Sequence, residues 1–405
     1  MAHVSQGFVG RLESLRGIAA LGVAIFHALI WIAFGAERAL FTQTVESVHG
    51  VQVTIARTIL SAFCGPAAVI ARTILSAFCG PAAVIVFFVL SGFVLARSLR
   101  KEPLGAAMYI GYCLKRVMRI LPALALSIAI VLVYLAVFYP GYQAFPAASI
   151  WFNWWYKEPI TVVGVVKNLA MVSSSLNSNA WTLRIEMLAS FALPFVVAIM
   201  GRSGMVRSLI AVAACFAWAA YTDNPASAPG EFAHYAYMFV LGVAVEKHIG
   251  QVARIPTWLS GLLVIASLSA MVAVNAIWPL AHFLYCDAAI AVSAALLILV
   301  IVVDGNAKFL AVMDTRAVRF LGRVSYSFYI LHFIFLYGTA NLALRLFPEG
   351  VLVRYPLIAS ALVAIASIAM TLPFASLSYR FVERPMTAVG KRIAEIQWLR
   401  MRTSP

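Results

Sequence analysis

The chain has 405 residues, 63% of them hydrophobic and 11% charged, at a mean hydropathy of +0.94. That composition excludes an ordinary water-soluble domain, in which about a quarter of the residues are charged. The net charge of +15 invites a nucleic-acid reading, which the placement of the charges along the chain excludes.

A membrane-spanning helix needs about 20 mostly apolar residues. Ten such stretches are expected, at residues 15–34, 74–97, 119–138, 185–201, 206–221, 231–247, 257–276, 284–303, 324–346 and 355–378. The expected fold is an all-α integral membrane protein, a polytopic bundle of about ten transmembrane helices. Of the 30 basic residues, 22 fall in the N-terminal segment, in alternate loops and in the C-terminal tail. This positive-inside pattern puts both termini in the cytoplasm, so the basic excess is topological and no nucleic acid is needed to explain it. The first stretch follows basic residues, as a signal peptide does, but it exceeds a usual signal core and runs into the weak cleavage sequence Phe34-Gly35-Ala36. A retained first helix in a multi-pass protein of the cell membrane is expected.

That first helix reads RLESLRGIAALGVAIFH over residues 11–27 and carries Arg16 and His27, eleven residues apart. Eleven helical steps make three turns plus about 20°, with a rise of about 16 Å. The two side chains therefore share a face, the cation at the helix entrance and the imidazole near mid-bilayer. Ionisable groups at such depth are costly and usually face a bundle interior or a cavity.

Residues 56–70, ARTILSAFCGPAAVI, recur letter for letter at 71–85. A period that occurs twice is not a solenoid; it reads as a tandem duplication. The second copy runs into VFFVLSGFVLARS to complete a span, while the first has too few apolar residues to cross alone and is expected in an external loop. Next, YCLKRVMRILP places Arg116 and Arg119 three residues apart on one helix face, at the expected mouth of the third span. Two guanidiniums so placed can grip phosphates, and positive-inside anchoring explains them as well.

The loop at 139–184 contains Trp151, Phe152, Trp154, Trp155 and Tyr156, which suits an interfacial aromatic belt or a platform for an amphipathic acceptor. NAWTLRIEMLASFALP sets Trp181 and Glu186 at the expected outer end of the fourth span, and LGRVSYSFYILHFIF puts His332 inside the ninth. SLSYRFVERP closes the last span with Glu383 and Pro385. The connector 222–230, TDNPASAPG, is a turn-rich loop. Cys64, Cys79, Cys113, Cys215 and Cys286 have no metal-ligand spacing, and no metal is expected.

Six blocks in order, RLESLRGIAALGVAIFH, FFVLSGF (87–93), KRVMRILP (115–122), WTLRIE (181–186), SYSFYILH (325–332) and YRFVERP (379–385), resemble the membrane-bound acyltransferase 3 family. The resemblance implies a single acyltransferase domain over residues 1–405, with its core at about 11–385, a duplicated insertion at 56–70 and a basic cytoplasmic tail at 386–405. It implies an O-acyltransferase that moves an acyl group, typically acetyl from acetyl-CoA, to a hydroxyl of a polysaccharide, a lipid-linked glycan or a small molecule such as an antibiotic. Its partners would be acyl-CoA, the hydroxyl-bearing acceptor and membrane lipid. It carries over His27, Arg16 and Glu186 as catalytic residues and Arg116 and Arg119 as the acyl-CoA site, with Trp181, His332 and Glu383 as further matched positions. Where the family often continues its fourth block with a second acidic residue, Met187 and Leu188 follow Glu186 here. His27 as general base and a transient acyl-histidine are both open routes. A transporter or glycolipid flippase, and a non-catalytic scaffold, are the alternatives outside acyl transfer.

Overall fold

A backbone in lipid must satisfy its own N–H and C=O groups, and a helix does so within one segment. In the computed structural model each of the ten apolar stretches falls on a helix. The structure describes residues 6–33, 80–100, 104–201, 204–222, 228–252, 255–277, 284–305 and 307–403. The first copy of the duplication, the start of the second, Cys64, Cys79, the Phe34-Gly35-Ala36 sequence and most of the 222–230 connector lie outside them.

The helices are α1 (Gln6–Ile30), α2 (Gly80–Leu99), α3 (Ala106–Val137), α4 (Ile150–Trp154), α5 (Val162–Leu169), α6 (Ala180–Met200) and α7 (Met205–Tyr221). They continue with α8 (Ala228–His248), α9 (Thr257–Ile277), α10 (Leu284–Val303), α11 (Arg316–Leu346), α12 (Glu349–Arg354), α13 (Pro356–Ser378) and α14 (Arg384–Thr403). Among the described residues, eight helical segments are long and apolar enough to cross a membrane. Helix α7 is apolar but has 17 residues, and α8 has 21 residues but carries Glu231, His234, Glu246, Lys247 and His248.

Besides α1, which starts at Gln6 rather than 15, three helices begin five or more residues earlier than hydropathy predicts, each because a polar or aromatic turn extends the apolar run. Helix α3 starts at Ala106 rather than 119, α6 at Ala180 rather than 185, and α11 at Arg316 rather than 324. The shift matters for the ionisable residues. Arg116 and Arg119 lie in the third and fourth turns of α3, not at its mouth, and His332 sits at the middle of α11.

Helix α1 runs alongside α11 and α2, α2 also packs on α8, and α11 on α13. The α1–α11 contact is made by glycines. A Cβ on Gly17 would lie 2.6 Å from the Gly322 nitrogen, and one on Gly322 would lie 2.7 Å from the Glu13 carbonyl oxygen. Helices in lipid associate by such close packing of small residues, since lipid tails provide no hydrophobic drive between them. The start of α1 is further tied to the turn before α11 by Arg11, whose Nε and Nη2 donate to Asp314 Oδ2 at 2.9 and 2.6 Å.

The segment between α3 and α4 is tied to the end of α1. Ala33 N donates to Ala147 O and Ser149 N to Trp31 O, at 3.0 and 2.9 Å. Buried Asn153 holds the turn, accepting from Phe145 N and donating to Phe145 O, both at 2.9 Å. These bonds fix where the tryptophans of α4 and its C-terminal end point.

Candidate active site

Two cavities line up along α1. The first, an arginine chamber of about 250 Å³, has Arg16, Arg97, Arg116 and Arg119 in its wall together with Glu13, Glu186, Ser325 and Tyr326. The second, a histidine chamber of about 330 Å³, is walled by His27, Trp151, Asn179, Trp181, Tyr235 and Asp287. Val84 and Tyr329 belong to both walls, so the chambers meet at those two side chains. Arg16 and His27 thus line two adjoining chambers at two levels of a single helix.

In the arginine chamber the charges are held in fixed geometry. Arg16 Nε donates to Ser325 Oγ at 2.8 Å. Arg116 is buried, donating from Nη2 to Glu186 Oε1 at 2.5 Å and from Nε to Ser190 Oγ at 3.0 Å. Ser91 Oγ donates to the same Glu186 oxygen at 3.3 Å. Arg119 feels Arg16 and Arg116 on one hand and Glu383 and Glu186 on the other. Glu383 accepts from Ser327 Oγ at 2.9 Å and is buried. It lies in a π-helical turn, Tyr379–Glu383; such turns insert one residue, rotate the rest of the helix about its axis, and concentrate at functional sites. Four arginines against two carboxylates in the wall leave this chamber positive, suited to an anionic ligand.

The pairing moves Glu186 from its expected position. Sequence position put it at the outer end of the fourth span; its bond to Arg116 puts it in the arginine chamber, while Trp181, more than one turn earlier, reaches the histidine chamber. A hydropathy profile registers the level of a helix turn only coarsely, and the contact joins residues 70 apart in sequence.

In the histidine chamber, His27 Nδ1 lies 3.0 Å from His332 Nε2, and His27 stacks on Trp151 with ring centres 5.2 Å apart. His332 is 2% exposed, and the Asn179 amide Nδ2 lies 3.4 Å from its Nδ1 while donating to Tyr329 O at 2.8 Å. Whichever of the two facing nitrogens donates, the His27–His332 contact fixes which nitrogen of His27 keeps its lone pair.

The aromatic loop is only partly a belt. Trp154 is 67% exposed, but Trp151 covers His27 and Trp155 packs edge-on against Phe333 at 4.9 Å. The Trp31–Ser149 backbone tie turns these rings inward. Sequence reasoning does not find a second buried pair, His234 Nε2 to Asp287 Oδ2 at 2.8 Å. Its signal is present nonetheless: two ionisable residues inside apolar stretches.

Residues 9–380 match the acyltransferase domain that defines the acyltransferase 3 family. The chain belongs to the membrane-bound acyltransferase 3 family. The match covers nearly the whole chain, and with the apolar helices it makes this protein a multi-pass membrane acyltransferase. Comparison with curated proteins and with solved structures finds no match. Each residue that the six blocks singled out in this acyltransferase therefore has a place: Arg16, Arg116, Arg119 and Glu186 in one chamber, His27 and Trp181 in the other. His332 stands behind His27, and Glu383 behind Arg119.

Proposed function

We propose that this acyltransferase carries acyl groups, with acetyl as the donor group, from acyl-CoA bound on the cytoplasmic side to a hydroxyl of a glycan or related acceptor that enters from the opposite side. One observation carries the reading: Arg16 and His27 lie on one helix in the walls of two chambers that meet at Val84 and Tyr329. The positive-inside pattern orients the arginine chamber toward the cytoplasm, where acyl-CoA is found.

Drug-sized ligands occupy pockets of about 300–1,000 Å³, so a chamber of about 250 Å³ suits a slender acyl-pantetheine arm rather than an entire nucleotide. The phosphates then remain toward the guanidiniums of Arg116 and Arg119 while the thioester advances along α1 to the junction. His27 Nε2 accepts the proton of the acceptor hydroxyl as its oxygen attacks the thioester carbonyl. The carbon–sulfur bond breaks, the proton passes to the departing thiolate, and an ester and free CoA result. The step uses the tautomer in which His27 Nδ1 donates to His332 Nε2, 3.0 Å away.

General-base assistance contributes about 10²–10⁴ in rate. His27→Ala should therefore all but abolish transfer of label from radiolabelled acetyl-CoA into a polysaccharide or small-molecule fraction of membranes. The variant should accumulate in the membrane at wild-type level. Label transfer at the wild-type rate in His27→Ala overturns the assignment.

A further inference from the structure

Proton transfer by His27 and donor capture by the arginines leave one buried ionisable pair unused. Asp287 lies in the first turn of α10 and His234 in the second turn of α8, with side chains 3% and 4% exposed. Burying a carboxylate is expensive, and a structural clamp between two helices is served as well by apolar residues of the same volume. Two facts argue for more than a clamp. Asp287 belongs to the wall of the histidine chamber, with His27, Trp151, Trp181 and Tyr235. Its hydrogen-bonding partner is an imidazole, which supplies one N–H, whereas a carboxylate has about four accepting positions. The carboxylate is therefore fixed by His234 without being saturated by it.

We propose that Asp287, held by His234, accepts a hydrogen bond from an acceptor hydroxyl adjacent to the one that attacks, and so positions polyhydroxylated acceptors against His27. Trp151, Trp181 and Tyr235 line the same space, where an amphipathic sugar-like ring can pack while its hydroxyls reach the carboxylate. Asp287 is a positioning and specificity residue, not a catalytic one. The proposal rests on the acyl-transfer reading above.

The test uses the full chain in lipid nanodiscs with acetyl-CoA, reading thiol release. Methyl α-D-glucopyranoside, with several adjacent hydroxyls, is compared with 1-propanol, which has one. Asp287→Asn keeps the size and removes the charge. Loss of a hydrogen bond to a charged group costs about 1.5–3 kcal/mol, so kcat/KM for the glucoside should fall about 10- to 100-fold, through KM. Values for 1-propanol and the half-saturation by acetyl-CoA should stay at wild type. His234→Leu, which releases Asp287, should reproduce the loss and His234→Gln, which keeps a donor, should restore it; these variants carry the test if Asp287→Asn does not accumulate. Wild-type glucoside kinetics in Asp287→Asn, or an equal fall for both alcohols, overturns the proposal and leaves acyl transfer standing. No alcohol-dependent thiol release by the wild-type protein, or undiminished release by His27→Ala, overturns the transfer reading and this proposal with it.

Discussion

Arg116 has two possible duties, and they can be separated. It is 5% exposed, bonded to Glu186 and Ser190, and it lines the chamber where an anionic donor would enter. Removing one member of a buried pair strands the other and costs about 3–5 kcal/mol, an upper range here because the Glu186 side chain is 27% exposed. Arg116→Met alone should thus lower thermal stability in detergent. The double variant Arg116→Met with Glu186→Leu replaces the pair by apolar volume and should recover most of that stability. It should not recover donor binding: half-saturation by acetyl-CoA should stay well above wild type in both variants. Recovery of both quantities in the double variant would reduce Arg116 to a structural partner of Glu186. At this scale the sequence is legible where helical geometry governs, as for Arg16 and His27. It is silent where two helices far apart in sequence meet, as for Glu186 with Arg116 and His234 with Asp287. Periodicity assigns a residue to a face of its helix; it does not name the partner across that face.

At the scale of elements, the site depends on how closely α1 approaches α11, since that contact brings Arg16 to Ser325 and His27 to His332. Gly17 and Gly322 permit the approach, each having backbone of the other helix where a Cβ would stand. Neither glycine announces this role in an apolar run, because the need for it arises only once the partner helix is in place. Helix starts are legible to within several residues and no better: hydropathy stops at Arg116 and Arg119, while the α3 backbone continues to Ala106. The packing argument predicts an asymmetry along α1. Gly17→Leu should force the helices apart, costing more than the 1–3 kcal/mol typical of overpacking because backbone, not side chain, must move. Unfolding temperature and acyl transfer should both fall. Gly22→Ala, five residues on, adds a Cβ that meets nothing within 4 Å and replaces glycine in a helix, a gain of up to about 1 kcal/mol. Unfolding temperature at or above wild type is expected for Gly22→Ala, and a drop equal to that of Gly17→Leu would refute close packing as the cause.

At the scale of the molecule, the proposed transfer is vectorial. Two chambers, one walled by arginines and one by histidine and aromatic rings, adjoin at Val84 and Tyr329, and on the proposed reading donor and acceptor enter them from opposite sides. On that reading no through-passage for a whole substrate is required, since only the acyl group would change compartment. The positive-inside expectation gives the proposed direction, with the arginine side toward the cytoplasm. Sealed vesicles of known orientation test this directly. In inside-out vesicles, acetyl-CoA added to the bath should support transfer at full rate without detergent. In right-side-out vesicles the same addition should support little until the membrane is permeabilised, because a polyanionic donor does not cross a bilayer. Externally added acceptor should show the reverse dependence. Equal rates in both orientations, with vesicles shown to be sealed, would mean that donor and acceptor share one entrance, and the junction at Tyr329 would then not be the point of transfer.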